Sequence, residues 1–206
     1  MNLEKLKLAE QRFLSLHPEG FADPSMAKVL KRHKMEQMVE FAQQSFSPDC
    51  YSHVEQKVAN MVKTVSRSSM VSMFEKPKFR DFVQRLDASQ KAYMVDSLVE
   101  LLHGQQQLGF EALVDLFKTE KIAKWSLMTI IPAYHAPDQE VFVKPTTAKG
   151  VINYFEVPEL VYKPAPTWEF YQGYRRLINS AKKKVDQRLS PSNAAFSGFL
   201  MMSLDS

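Results

Sequence analysis

The stretch Tyr51-Ser-His-Val-Glu-Gln-Lys-Val-Ala-Asn-Met-Val-Lys-Thr-Val65 decides the fold class. Tyr51, Val54, Val58, Met61, Val62 and Val65 recur in it at three- and four-residue intervals over four turns. That spacing puts them on one side of an α-helix and predicts burial of that side against other helices. Asp49, after Ser47-Pro48, reads as its cap.

The same grammar extends in both directions. Upstream, Leu3, Leu6, Phe13 and Leu14 predict a first helix that stops before the turn cluster His17-Pro18-Glu19-Gly20. Asp23-Pro24 starts a second, because a carboxylate can cap free amides and proline loses nothing at the first helical position. This helix is expected to run to about Phe46. Downstream of the polar break Ser66-Arg-Ser-Ser69, helices are predicted over about Lys76–Arg85 and Ala88–His103. Gly104 is expected to close the latter in the left-handed conformation. Leu108, Leu113, Val114, Leu116 and Phe117 predict a further helix. Trp125 to Ile131 is a buried helix or a buried strand, and Val141-Phe-Val143 is the best short strand.

The expectation is an all-α, single irregular helical domain of about seven or eight helices with at most one short extended segment. An N-terminal helical part, residues 1–120, is followed by a proline-interrupted basic part, residues 121–206. The latter carries Pro132, Pro137, Pro145, Pro158, Pro164, Pro166 and Pro191. No repeat of fixed period is present, which disfavours a solenoid.

Composition narrows the function classes. Apolar residues make up 45% and charged residues 24% of 206, an ordinary globular balance. None of the six glycines falls in a G-x-G or G-x-x-x-x-G-K arrangement, so the phosphate loops of dinucleotide and nucleoside-triphosphate enzymes have no material here. One cysteine, Cys50, cannot form an internal disulfide, and a cytoplasmic location is expected. The first ten residues alternate charge too often for a signal-peptide core, and no run could span a bilayer, so no membrane partner is expected. The net charge of +4 is unevenly placed: residues 1–120 balance 16 Lys+Arg against 16 Asp+Glu, while residues 121–206 hold 11 against 7.

Three stretches resemble a family of uncharacterised bacterial proteins of similar helical makeup. The first is Arg12-Phe-Leu-Ser-Leu-His-Pro-Glu-Gly-Phe-Ala-Asp-Pro24, followed by a basic helix through Lys31-Arg-His-Lys34. The others are Val141-Phe-Val-Lys-Pro-Thr-Thr147 and Tyr162-Lys-Pro-Ala-Pro-Thr-Trp-Glu-Phe-Tyr171. The resemblance implies one fold from about residue 10 to 200 and carries no activity. Ser192-Asn-Ala-Ala-Phe-Ser-Gly-Phe199 departs from it by lacking the acidic residues of that family's final segment.

The segment from Thr167 to Leu189 carries the strongest chemical pattern. Phe170, Tyr174, Leu177, Ile178, Ala181, Val185 and Leu189 share one helical side, while Arg175, Arg176, Lys182 and Lys183 gather on another. Such a stripe could follow a polyanion backbone, guanidinium suiting phosphate through its planar fork. It could equally be a solvated outer face. In Lys144-Pro-Thr-Thr-Ala-Lys-Gly150, Thr146 as cap with Lys144 and Lys149 could form an anion pocket, or an ordinary helix start with surface lysines. Trp168, Tyr171 and Tyr174 could stack on single-stranded bases or lie in the core.

Other chemistry finds less support. Cys50-x-x-His53 supplies two ligand types where a structural zinc needs four, so no metal and no cofactor is expected. His135 with Asp138 has no nucleophile beside it, and His17, His33 and His103 are scattered. The eleven methionines suit an irregular core or an adaptable groove. The Phe196–Leu204 run would dock on the core or self-associate. The leading expectation is a non-enzymatic binding protein for a polyanion, most plausibly nucleic acid. A protein-interaction or self-association module is the alternative, and an enzyme of unrecognised type the third; oligomeric state is left open.

Overall fold

Helix α8, Trp125–His135, is the element round which the others pack, and its sequence explains why. Every residue from Trp125 to Tyr134 is buried, so no side of it could face water. The computed structural model describes residues 1–48 and 53–204, and α8 settles the open alternative at 125–131 as helix. Thr129, fully buried, returns its hydroxyl proton to the Trp125 carbonyl at 2.7 Å and accepts the Val143 amide at 3.0 Å. That bond holds residues 141–143 as buried extended chain. No strand occurs among the described residues, so the segment expected to be a strand is a single extended one without a ladder partner.

The earlier helices are α1 (Leu3–Leu16), α2 (Ala27–His33), α3 (Met35–Ser45), α4 (Val54–Arg67), α5 (Glu75–Arg85), α6 (Ala88–His103) and α7 (Gln106–Lys118). After α8 come α9 (Pro145–Tyr154), α10 (Trp168–Lys182) and α11 (Asn193–Met202). The molecule is one all-helical domain, as its sequence predicts. The amphipathic stripe of α4 is realised through Val58, Met61 and Val65, while its cap Asp49, with Cys50 and Tyr51, lies outside the described residues.

Two local expectations change. The helix foreseen from Pro24 to Phe46 is broken, because Lys34 takes the left-handed conformation at φ 47°, ending α2 and opening α3 in a new direction. Gly104 has φ −121°, outside the left-handed region. Its role is space: a Cβ there would lie 2.2 Å from the Glu100 carboxylate, which caps the Gln105 amide at 2.7 Å.

The C-terminal run docks on the core. Phe196, Phe199 and Leu200 of α11 are fully buried, and α11 packs against both α9 and α10. Two aromatic clusters fill the interior: Phe79, Phe82 and Phe117 under α5 and α7, and Phe110, Trp125, Phe170 and Tyr171 between α7, α8 and α10. No described helix is long and apolar enough to cross a membrane.

Candidate functional site

Helix α10 forms because Thr167 caps it, accepting the Phe170 amide, and because its apolar side is continuous from Phe170 to Ala181. It ends at Lys182, so Lys183 is its C-cap and Val185 and Leu189 lie beyond the helix. Tyr171, Arg175, Asn179 and Lys182, spaced four, four and three, form a polar row on it. Each meets the chain that leaves α8. The Tyr171 hydroxyl donates to Glu140 Oε2 and Arg175 Nη1 to Glu140 Oε1, both at 2.5 Å. Asn179 Nδ2 donates to the Gln139 carbonyl at 2.8 Å, and Lys182 Nζ to the Asp138 carbonyl at 3.0 Å. Asn193 at the start of α11 adds a bond to the Glu140 carbonyl at 3.0 Å.

This row is a clasp, and it corrects the first reading of α10. Arg175 is 16% exposed at its side chain, bonded to Glu140 and Gln106 and lying over the Trp168 and Tyr171 rings, so its charge is neutralised. Lys182 is turned to a backbone carbonyl. Arg176 and Lys183 remain exposed, on a different stripe. Tyr171 is fully buried, stacked on Phe110 at 5.3 Å between ring centroids, and Tyr174 is buried too, so neither can stack on a base. Burial, with the Glu140 charge behind it, pushes the Tyr171 phenol well above its ordinary value. Trp168 is half-buried against Phe110 and Tyr171.

The second predicted pocket also comes apart. Lys144, not Thr146, occupies the cap position of α9, with Pro145 first in the helix and no side-chain cap. Lys149 turns away to lie over the Tyr162 ring at 5.0 Å. Thr146 is exposed, and Lys144 extends towards α11, its Nζ 3.8 Å from Met201 Sδ. Its charge is felt at His33, whose imidazole is held below the ordinary histidine value by burial first, then by Arg32 and Lys144.

Helix α2 thus emerges as the candidate site. Its ends are local: Asp23 accepts the Ser25 amide at 3.0 Å ahead of it, and Lys34 turns the chain after it. Met26, just ahead of the helix, is buried and His33 Nδ1 is hydrogen-bonded to Ser69 Oγ at 2.8 Å, so the side carrying Met26 and His33 rests on the body, while Leu30 stays 45% exposed. Lys28, Lys31 and Arg32, related by three- and four-residue steps, share the opposite side and are exposed. None of them has an ion-pair partner among the described residues. The signal was present in the sequence: from Pro24 to Met35 there are four Lys or Arg and no carboxylate. Averaging charge over residues 1–120 conceals it.

The histidines divide. His135 packs edge-on against His103, with ring centroids 4.9 Å apart, rather than pairing with Asp138. His103 Nε2 contacts the Phe46 carbonyl at 2.7 Å. Among the described residues no group of three or more His, Cys, Asp or Glu is placed to hold a metal.

No protein-family model, curated protein or solved structure matches this chain.

Proposed function

We propose that the protein is a non-enzymatic binding protein for nucleic acid, which it holds by its phosphates on the outer face of α2. The observation that carries this reading is the exposed trio Lys28, Lys31 and Arg32, with no carboxylate between Pro24 and Met35 and no ion-pair partner among the described residues. Like charges at such spacing destabilise a helix by about 0.2–0.5 kcal/mol a pair. A bound polyanion relieves that repulsion. Val29 and Leu30 are partly exposed beside these cations. The cations themselves suit a phosphate backbone.

The exposed cations at the end of α10 support the reading less. Arg176 and Lys184 share their groove with Glu159, and Asp186 follows closely in the chain.

Fluorescence anisotropy with short DNA and RNA oligonucleotides across a salt series tests the proposal. Affinity on duplex DNA is expected to fall with a log–log slope of about −0.9 per phosphate neutralised. The triple variant Lys28→Glu/Lys31→Glu/Arg32→Glu should lose most binding, and Arg176→Glu/Lys183→Glu should lose little. A flat salt response, or a triple variant that binds like the parent, overturns it.

A second reading rests on Met73 and Phe74, each 74% exposed in the α4–α5 connection. These favour a protein-contact surface. Loss of a nuclease-resistant partner in Phe74→Ser, with α2 reversal having no effect, would favour that reading.

A further inference from the structure

Between the start of α1 and one flank of α10 runs a groove of about 450 Å³, none of whose lining residues belongs to α2. It follows α10 from Gly173 to Ala181, which is about 12 Å of helix at 1.5 Å per residue. Leu160, from the chain ahead of α10, sits so close to Gly173 that a Cβ there would lie 2.6 Å from its Cδ2, and this contact closes one end. Leu3 of α1 stays 46% exposed and, with Leu160 and Leu177, gives the groove an apolar wall.

The other end is cationic. Arg176 and Ser180 stand one turn apart on α10, and Lys184 follows in the turn that its amide closes on the Ala181 carbonyl at 2.9 Å. All three are exposed and line the groove. The acids near them are engaged elsewhere. Glu159, which shares the lining, is 3.9 Å from the Met1 amine, and the two oxygens of Asp186 accept from Arg188 at 3.0 and 2.8 Å. Arg176 and Lys184 have no ion-pair partner among the described residues.

We propose that this groove binds one straight-chain carboxylate, with its alkyl chain along Leu3, Leu160 and Leu177 and its head beside Ser180, between Arg176 and Lys184. The inference goes beyond the nucleic-acid reading of α2 and does not depend on it. Charge complementarity and size select the occupant. Two cations flanking a donor hydroxyl match one anionic head, while the apolar wall offers nothing to a free phosphate or a sugar. The volume falls in the range of small-molecule sites, and spread over its length it leaves a channel narrower than the 10–12 Å of a partner helix. The head lies towards the negative end of α10, so the cations are what hold it there.

Isothermal titration calorimetry of the full chain with octanoate, 1-octanol and acetate tests this. Octanoate is expected to saturate one site. 1-Octanol keeps the chain without the charge and acetate keeps the head without the chain, so each should bind about tenfold more weakly or worse. Arg176→Gln/Lys184→Gln should weaken octanoate about tenfold while leaving 1-octanol unchanged. Ser180→Trp, at an exposed position, should block both by filling the groove. Octanoate that does not saturate, that binds no better than 1-octanol, or that binds either variant as it binds the parent overturns the proposal. Association with phosphatidylglycerol vesicles in place of free octanoate overturns it too, by making the groove a membrane contact. The Arg176→Gln/Lys184→Gln variant should lose little oligonucleotide affinity, and reversal of the α2 cations should leave octanoate binding intact, so the two readings fail separately.

Discussion

Arg175 and Glu140 face each other at 2.5 Å, with side chains 16% and 8% exposed, across 35 residues of sequence. The pair joins α10 to the chain leaving α8, and Gln106 of α7 and the Tyr171 hydroxyl complete the hydrogen bonding of the carboxylate. A buried pair of this kind specifies position more than it adds stability, since desolvation offsets much of the attraction.

Breaking the pair from one side should be costly. Glu140→Leu leaves a guanidinium buried without its acid and is expected to lower stability by about 3–5 kcal/mol in a denaturant titration. The double variant Glu140→Leu/Arg175→Met should be less destabilised than that single change. A double variant at least as unstable as the single would show that the carboxylate acts through its other partners.

Helices α6 and α7 pack closely, and Gly109 permits it. A Cβ at this position would lie 2.3 Å from the Leu101 nitrogen and 2.5 Å from the Ser97 carbonyl oxygen, backbone atoms that cannot swing aside. Gly109→Ala is expected to cost about 1–3 kcal/mol by overpacking, seen as a lower melting temperature. A neutral result would mean the two helices separate freely.

Lys34 is a lysine in a conformation that glycine adopts without strain, at φ 47° and ψ 42°. Relief of about 1–2 kcal/mol of steric strain, less the entropy glycine gains when unfolded, should make Lys34→Gly more stable by roughly 0.5–1 kcal/mol. Lys34→Val should do the opposite. Equal urea midpoints for both variants would refute the bend between α2 and α3.

Acid should weaken the fold before the carboxylates titrate. Burial, then the neighbouring His103, holds His135 below the ordinary histidine value. The unfolded chain therefore binds a proton at a pH where the folded chain still resists it. This contribution is complete above the ordinary histidine range and is lost as pH falls from there through the depressed folded value. His135→Gln should flatten the decline in stability between about pH 7 and 5, the range in which histidine changes charge. An unchanged slope in equilibrium unfolding would place the effect elsewhere.

The helical class, most helix starts and the buried side of α4 were legible because local spacing alone decides which residues share a side. Asp87 at the start of α6 is an instance: it accepts the Gln90 amide at 2.8 Å, and Gln90 returns a bond to its backbone at 3.0 Å, all within four residues. The break at Lys34 was not legible, since no glycine marks it and the residues on either side favour helix. The extended segment 141–143 reads as a strand because its β-branched and aromatic residues are the same whether a ladder or the Thr129 hydroxyl satisfies the backbone.

The sequence by itself determined that two short stretches, around α2 and along α10, concentrate positive charge on a helix. Only the tertiary structure decided which of them remains available. Arg175 meets its acid from a residue 35 positions away, and Lys182 meets a carbonyl 44 positions away, whereas Lys28, Lys31 and Arg32 face solvent. Charge neutralisation depends on distance in space, with an attraction that falls off over a few ångströms of low-dielectric contact, and linear order does not encode that distance.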